Sequence, residues 1–244
     1  MSSSKTVAFF GASTGVGLSV LKNTLAADHQ CIALCRTPSK FTSIFPTGTT
    51  PNLKLVEGNA KDLASVSQCL QGNDGKLVDF VISTIGAKPV ISMMGISIDD
   101  PEVCQKGAAT LLEALAELRR NGATGNPVII VVSTTGLSRF GRDIPIAMIP
   151  LYYMALKVPH EDKRSMEDSV IESGEAYTIV RASLLTNGKS NTAIRVGIED
   201  PKTGLESQAI GYTISREDAG NWIAENLVLE RDPKYSNKIA TITY

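Results

Sequence analysis

The chain has 244 residues, of which 43% are hydrophobic, and carries 24 basic and 25 acidic side chains. A net charge of −1 gives no electrostatic reason to expect nucleic acid or an anionic membrane as partner. Four cysteines without a C-x-x-C pair, and two histidines, predict neither a disulfide framework nor a metal site. The sequence shows no signal-like start and no apolar run of the about 18 residues that a membrane span needs. These features predict a soluble cytoplasmic protein, monomeric or homodimeric, with a small-molecule substrate.

Segments typical of strands and helices alternate along the chain. The expected strands are Thr6–Phe10, Gln30–Cys35, Leu53–Val56, Val78–Ser83, Val128–Val132, Tyr177–Val180 and Ile239–Thr243. The expected helices are Gly17–Ala27, Leu63–Leu70, Pro101–Asn121, Pro159–Ser173 and a helix that starts at the capping segment Ser215–Asp218 and runs through Leu229. Such alternation is typical of a parallel sheet with helices on both faces. We therefore predict an α/β fold, a Rossmann-type doubly wound parallel sheet in a single domain over residues 1–244.

Two segments lack a clear periodicity, residues 138–158 and residues 187–212. Both follow predicted strands. Ligands of open α/β sheets bind beyond the carboxyl ends of the strands. We interpret both segments as irregular substrate loops.

A glycine-rich loop, Gly11-Ala-Ser-Thr-Gly15-Val-Gly17, connects the first strand to the first helix. Gly11 would permit the tight turn, Gly15 would let the backbone approach a pyrophosphate, and Gly17 would allow close helix–strand packing. The N–H groups and the positive dipole end of the helix would face the phosphates. This loop predicts a dinucleotide site.

The end of the second strand distinguishes the two nicotinamide cofactors, because an acidic residue there would bind the ribose 2′-hydroxyl. Here the strand ends in Cys35-Arg36-Thr37, with Lys40 nearby. A guanidinium suits a 2′-phosphate by charge and by its fork of donors. The sequence therefore favours NADP(H) over NAD(H).

Several further motifs occur in a familiar order. They are Glu57-Gly-Asn59-Ala-Lys-Asp62, Ser83-Thr-Ile-Gly86, Val132-Ser133-Thr134, Asp162-Lys163 and Ile179-Val-Arg181-Ala-Ser-Leu-Leu185. Together with the glycine loop and Arg36, they make the chain resemble an atypical short-chain dehydrogenase/reductase. That group includes NmrA-like proteins and biliverdin reductase B, and the resemblance covers nearly the whole chain.

The resemblance implies roles for individual residues. Asn59 and Ala60 would border the adenine, Thr84–Gly86 would line the ribose and diphosphate, and Ser133 and Thr134 would face the nicotinamide. Arg181 to Leu184 would follow the sixth strand beneath the nicotinamide ring. The complete set of expected cofactor-binding residues is Gly11, Ser13, Thr14, Gly15, Val16, Gly17, Arg36, Thr37, Asn59, Ala60, Thr84, Ile85, Gly86, Ser133, Thr134, Lys163, Arg181, Ser183 and Leu184.

The parent superfamily pairs a tyrosine proton donor with a lysine that lowers its pKa. Tyr153-Met-Ala-Leu-Lys157 matches the Y-x-x-x-K pattern, and the spacing would place both side chains on one helix face. Atypical members, however, carry the lysine about ten residues before an E-S-G motif, and counting back from Glu172 leads to Lys163. The tyrosine position is then Pro159, which has no hydroxyl. Lys163 and Lys157 remain alternatives.

The proton donor is open as well. Ser133, Tyr152, Tyr153 and His160 are candidates, and Ser133 could instead polarise a carbonyl. Together with the two alternative lysines, the candidate catalytic residues are Lys163, Ser133, Tyr153 and Lys157.

Three functions are compatible with these residues. The first is an NADPH-dependent reductase of a carbonyl, enone or flavin-like small molecule, which the glycine loop and Arg36 indicate. The second is a non-catalytic NADP(H)-sensing regulatory protein, suggested by Pro159 in the tyrosine position. The third is an isomerase or cyclase that retains its cofactor.

Overall fold

A computed structural model describes residues 4–46, 49–72, 74–87, 89–92, 95–150, 152 and 156–244. In chain order the first half contains β1 (Thr6–Phe10), α1 (Gly15–Ala26), β2 (Gln30–Cys35), α2 (Ser39–Thr42), β3 (Leu53–Glu57), α3 (Leu63–Leu70), β4 (Phe80–Ser83), β5 (Pro89–Ser92), β6 (Gly95–Ile98) and α4 (Val103–Arg120). The second half contains β7 (Val128–Thr134), α5 (Lys157–Glu172), β8 (Ala176–Ala182), β9 (Leu184–Thr186), β10 (Arg195–Asp200), β11 (Gly204–Ser207), β12 (Thr213–Ser215), α6 (Arg216–Ile223) and β13 (Lys238–Thr243).

Nine strands form one sheet in the order β11-β10-β13-β8-β7-β4-β1-β2-β3. Every neighbouring pair from β13 to β3 is parallel, whereas β10 is antiparallel to both β13 and β11. The chain winds outward from β1 to β3 and then returns to β4 on the other side of β1. The carboxyl ends of β1 and β4 therefore form the switch point at which open α/β sheets bind ligands.

Each face of the sheet is covered by its own hydrophobic cluster. Val7 and Phe9 of β1 pack with α1 and α6 on one face. Ala8 and Phe10 alternate to the other face, where they pack with α3, α4 and α5. This three-layer arrangement confirms the predicted doubly wound Rossmann-type fold.

Most predicted elements agree with the structure to within a few residues. Helix α1 starts at Gly15 and α5 at Lys157, each two residues before the expected start. The Ser215 hydroxyl accepts a hydrogen bond from the Asp218 N–H at 3.0 Å, as the capping segment predicts. Beyond α6 the helix continues as a π-helix over Ala224–Leu229.

The interpretation of residues 187–212 as an irregular loop is wrong for its central part. Residues Arg195–Asp200 and Gly204–Ser207 form the antiparallel hairpin β10–β11, which extends the sheet beyond β13. Val196 and Ile198 alternate along β10 and pack on the core. That period-two pattern favours a strand, and the pairing to β13 supplies its backbone partners.

Candidate functional site

The glycine loop lies at the switch point, between the end of β1 and the start of α1. Gly11 has a φ of +90°, which side chains disfavour, and this allows the tight turn after β1. A Cβ on Gly17 would lie 2.8 Å from the Gly11 carbonyl oxygen and 3.0 Å from the Ala12 Cα. This confirms the packing role predicted for Gly17.

The amino end of α1 has backbone donors without a side-chain cap among the described residues. Its N-cap residue, Thr14, makes no side-chain capping hydrogen bond, and the first turn contains no acidic residue. The first N–H groups of a helix lack intrahelical acceptors, and the helix dipole adds partial positive charge there. This end of α1 therefore fits an anionic phosphate group.

A cleft of about 200 Å³ runs from the glycine loop across the switch point. Its walls include nine of the predicted cofactor residues: Gly11, Ser13, Thr14, Arg36, Asn59, Ala60, Thr84, Ile85 and Gly86. The fold thus brings together the ends of β1, β2, β3 and β4, whose residues are up to 75 positions apart (11 to 86). Lys61, Asp99 and Asp100 also line the cleft, although they are not among the predicted cofactor-binding residues.

Arg36 lies at one end of this cleft with its side chain exposed. The preceding β2 residue, Cys35, is buried, so the chain leaves the sheet at Arg36. Thr37 is exposed beside it. The residue that follows β2 is thus an arginine and not a carboxylate, whereas the exposed Glu57 belongs to β3, where it pairs with Cys35.

The end of β7 brings Ser133 and Lys163 into the same region. The Lys163 ammonium, on α5, donates a hydrogen bond to the Val132 carbonyl oxygen at 2.7 Å. Ser133 is buried, and its Oγ has no hydrogen-bond partner among the described residues. Thr134 ends the strand beside Ala182 of β8.

Lys157 and Tyr153 are the other two candidate catalytic residues. Lys157 is the first residue of α5 and is exposed on the wall of a separate cavity, six residues before Lys163. Tyr153 lies outside the described residues. The structure therefore places Lys163, but not Lys157, against the β7 end.

The predicted role of Arg181 in cofactor binding requires a correction. Its side chain is 3% exposed and binds Glu167 of α5 at 2.7 Å and Glu199 of β10 at 3.1 Å. Because both carboxylates engage the guanidinium, the side chain does not extend toward the cleft, and its predicted contact with the cofactor is wrong. Ser183 is likewise buried and bonds the Thr243 hydroxyl at 2.9 Å, whereas Leu184 is 44% exposed. Val16 is buried in the core beneath the loop.

A larger cavity of about 590 Å³ opens beyond the end of β7. Gly136, Asp143, Ile144, Tyr152, Lys157 and His160 are among its lining residues. The Tyr152 hydroxyl and the Thr135 hydroxyl share a hydrogen bond of 3.1 Å. Burial lowers the pKa of His160 to about 4, with Arg164 contributing, so its imidazole is neutral near pH 7. Burial also raises the pKa of Asp143, although the charge of Arg181 opposes this.

The two arginines in the loop after β7, Arg139 and Arg142, have different partners. Arg139 forms an exposed ion pair with Asp168 on α5 at 2.7 Å. Arg142 lines the cavity and donates to the Ile144 carbonyl oxygen at 2.6 Å.

Among the described helices, none is long and apolar enough to cross a membrane.

The fold and the cleft at its switch point define a Rossmann-type dinucleotide-binding protein. The chain belongs to the NAD(P)H-binding family, whose pattern its sequence matches over residues 11–229. The NAD(P)-binding character that the family resemblance implies is thereby confirmed.

Individual relatives agree with this assignment. The chain is 42% identical to a reductase, pytE, of Aspergillus terreus, over the full length of both proteins. It is 28% identical to an oxidase, pynE, of Aspergillus niger, over 99% of each chain. Its fold matches a short-chain dehydrogenase/reductase from Veillonella parvula in complex with NADP, with a TM-score of 0.73, 16% identity and coverage of 98% of this chain and 94% of the other.

Proposed function

We propose that the protein is an NADPH-dependent oxidoreductase that reduces a carbonyl, enone or flavin-like small molecule. Its family membership, and the reductase and oxidase names of its two relatives, support an NAD(P)H-dependent oxidoreductase. The observation that carries the finer proposal is the cleft at the switch point, which joins the glycine loop to the exposed Arg36.

The bound NADPH would extend along the whole cleft. Arg36 would bind the 2′-phosphate, Asn59 and Ala60 would border the adenine, and the amino end of α1 would bind the diphosphate. The bound NADPH supplies the hydride. Lys163, positioned by the Val132 carbonyl, would bind the nicotinamide ribose.

The acceptor would be oriented beyond the end of β7. The Ser133 hydroxyl is buried and has no partner in the described part of the chain, so it would be free to donate to a developing oxyanion. The cavity of about 590 Å³ lies within the usual range for small-molecule sites, about 300–1,000 Å³.

Two measurements test the proposal. The first is NADPH oxidation across a panel of aldehydes, ketones, enones and flavins; tight NADPH binding without turnover of any panel member would contradict it. The second is the affinity of NADPH relative to NADH in Arg36→Glu. Loss of a charge-assisted contact of about 1.5–3 kcal/mol should reduce NADPH affinity about 10- to 100-fold and leave NADH nearly unchanged.

Lys40→Glu is the matched control for charge. Lys40 is exposed on α2, four residues from Arg36, and is not part of the cleft wall. An equal loss of NADPH affinity in both variants would indicate a general field effect and would remove Arg36 from the site.

A further inference from the structure

Two residues that line the larger cavity, Asp143 and His160, carry buried polar atoms without a hydrogen-bond partner among the described residues. Asp143 is 8% exposed; its Oδ1 accepts the Gly136 N–H at 3.0 Å and the backbone N–H groups of Ser138 and Asp143 also act on the carboxyl group, but its Oδ2 has no hydrogen bond of good geometry among the described residues. The Nε2 atom of His160 is also buried without a partner in the described part of the chain. Buried polar atoms almost always have a partner, so two in one cavity require an explanation.

The surrounding packing holds both groups in place. Gly136 has a φ of +90°, and a Cβ there would lie 2.8 Å from Tyr152 Cδ1 and 2.9 Å from His160 Cε1. The Tyr152 and His160 rings meet edge to face, with centroids 5.3 Å apart. Gly136 thus binds Asp143 through its N–H and contacts both rings, so the three side chains converge on one residue.

The cavity also adjoins the predicted nicotinamide position. Gly136 follows Thr134 by two residues, which corresponds to at most about 7 Å along an extended chain. Ile144 and Ile149 add apolar walls. The cavity lining therefore combines these apolar walls with the polar groups of Asp143 and His160 and the charged side chains of Arg142, Lys157, Glu161 and Arg164. Apolar walls with a few fixed polar groups are usual for a small-molecule pocket.

We propose that this cavity binds an apolar small molecule through a hydroxyl group, which Asp143 and His160 recognise. A hydroxyl both donates and accepts, so it pairs with the carboxyl oxygen and the imidazole nitrogen together whenever at least one of these two atoms carries a proton. That this molecule is the hydride acceptor rests on the proposed reductase function.

Histidine NMR tests the site directly, because the chain contains only His29 and His160. The probes are 2-naphthol and trans-2-decalol, each paired with its methyl ether, added to the full chain with and without NADP⁺. Both alcohols should shift the His160 ring signals and leave His29 unchanged. The ethers, which cannot donate, should bind about tenfold more weakly.

Variants separate recognition from folding. His160→Phe keeps a ring against Tyr152 and Gly136 but removes the nitrogen, so the tenfold preference for alcohols should fall below about threefold by ligand-observed NMR. Asp143→Ala should have the same effect. Asp168→Asn, an exposed carboxylate on α5 outside the cavity, should keep the full preference.

Equal affinity for alcohols and ethers, no shift at His160, or an unchanged preference in His160→Phe would each overturn this assignment. A cavity filled only by ordered water predicts those results. The reductase proposal fails independently, through absence of NADPH binding or oxidation.

A different observation adds a residue to the proposed cofactor site. Gly15 has a φ of +60°, and a Cβ there would lie 3.2 Å from Cδ of Arg216, the first residue of α6. The space predicted for a pyrophosphate at Gly15 thus contains an arginine stem. Arg216 donates to the Leu185 carbonyl oxygen at 3.1 Å and to Asn187 Oδ1 at 2.8 Å, both neutral acceptors.

Arg216 forms no salt bridge within the described ranges, and the neighbouring Glu217, which lines the same groove, accepts the Gly188 N–H at 3.0 Å. Arg216 lies beside the amino end of α1, whose first turn lacks acidic residues. Two positive features therefore meet at the glycine loop. We infer that Arg216 binds the cofactor diphosphate, an inference that rests on the proposed function.

Fragments of the cofactor isolate this contact. 2′-AMP carries the 2′-phosphate without a diphosphate, whereas 2′-phospho-ADP-ribose carries both. By calorimetry, Arg216→Gln should weaken 2′-phospho-ADP-ribose about 10- to 100-fold, as expected for hydrogen bonds to a charged group, and leave 2′-AMP within about twofold. Lys22→Gln, an exposed lysine of α1 on the same groove, is the control and should change neither affinity more than about twofold.

Equal losses for both fragments would show that Arg216 acts only by holding the 185–187 loop, and no loss would remove it from the site. If the unaltered protein binds neither fragment, the NADP(H) proposal itself fails.

Discussion

Ser133 differs from the buried hydroxyl groups around it. Thr178 donates to the Tyr235 carbonyl oxygen at 2.9 Å, and Ser183 bonds Thr243. Ser133 has no such partner within the part of the chain that the structure describes. A hydroxyl without a structural partner contributes little to folding, so removing it separates a chemical role from a structural one.

Ser133→Ala should therefore reduce kcat about 100-fold with the acceptor that the panel identifies, while the unfolding free energy stays within about 1 kcal/mol. Steady-state kinetics and urea unfolding measure the two quantities. Thr178→Val should show the opposite pattern, a loss of about 1–3 kcal/mol of stability with kcat unchanged. Full activity in Ser133→Ala would exclude an oxyanion contact.

His160 makes stability depend on pH. Its folded pKa of about 4 lies below the ordinary value of 6.5, so the unfolded chain binds the additional proton between those values. The stability that the neutral His160 ring contributes to the folded state is fully present above pH 6.5 and is lost as the pH falls toward 4. Charged and titratable groups near the ring include Arg164, Glu167, Lys163, Tyr152, Lys157 and Glu161.

The wild-type protein should thus lose more unfolding free energy between pH 7 and pH 5 than His160→Phe does. Urea titrations at several pH values give this difference, and subtracting the two proteins cancels the carboxylates and His29. Identical pH profiles would show that His160 titrates normally in the folded state.

At the scale of the elements, buried ion pairs connect parts of the chain that are distant in sequence. Arg181 on β8 links α5 through Glu167 and β10 through Glu199, with all three side chains no more than 5% exposed. Arg119 and Glu175 also pair, but with 33% and 14% exposure. Breaking a buried pair leaves an uncompensated charge, which costs far more than losing an exposed pair.

We expect Glu199→Gln to lower the unfolding free energy by about 3 kcal/mol. Glu175→Gln should cost about 1 kcal/mol or less. Chemical denaturation compares them directly. Equal losses would mean that Glu199 does not stabilise the hairpin through Arg181.

A second tertiary contact determines how α4 begins. The buried Asp162 carboxylate on α5 accepts the N–H groups of Cys104 and Gln105, both at 2.9 Å. It thereby caps a helix 57 to 58 residues earlier in the chain.

Asp162→Asn removes the charge and one of the two acceptor positions. It should destabilise the fold by about 1–3 kcal/mol. The exposed Asp168→Asn should change stability by less than about 1 kcal/mol. Comparable values for the two variants would contradict the capping role.

Local patterns account for the elements that the sequence could predict: the strands, the main helices and the glycine loop depend on periodicity and on turn residues. Of the nine predicted residues in the cleft, Asn59, Ala60 and Thr84–Gly86 are instead implied by the family resemblance. No local pattern encodes the contacts that join residues distant in sequence: Asp162 of α5 with the start of α4, Arg216 with Gly15, and Arg181 with Glu167 and Glu199. The hairpin β10–β11 is an intermediate case: Val196 and Ile198 carry the alternating signal, but its partner β13 follows about 40 residues later.

At the scale of the whole molecule, the cofactor cleft joins segments from residue 10 to residue 103. A ligand that binds only this assembled cleft stabilises the folded state by about 2.7 kcal/mol at one hundred times its Kd. NADPH should therefore raise the melting temperature, and NADH should do so less at equal concentration. A melting temperature insensitive to NADPH would contradict the proposed cofactor.

The position of β13 has a consequence for biosynthesis. This strand lies between β8 and β10, and it pairs with both. A ribosome makes both neighbours first, so the nascent chain exposes the backbone edge of β8 and an unpaired hairpin until residues 238–243 emerge. Such open edges are prone to pair with other chains. We expect folding to finish only after that strand is released, and the growing polypeptide to depend on chaperones more than the completed one.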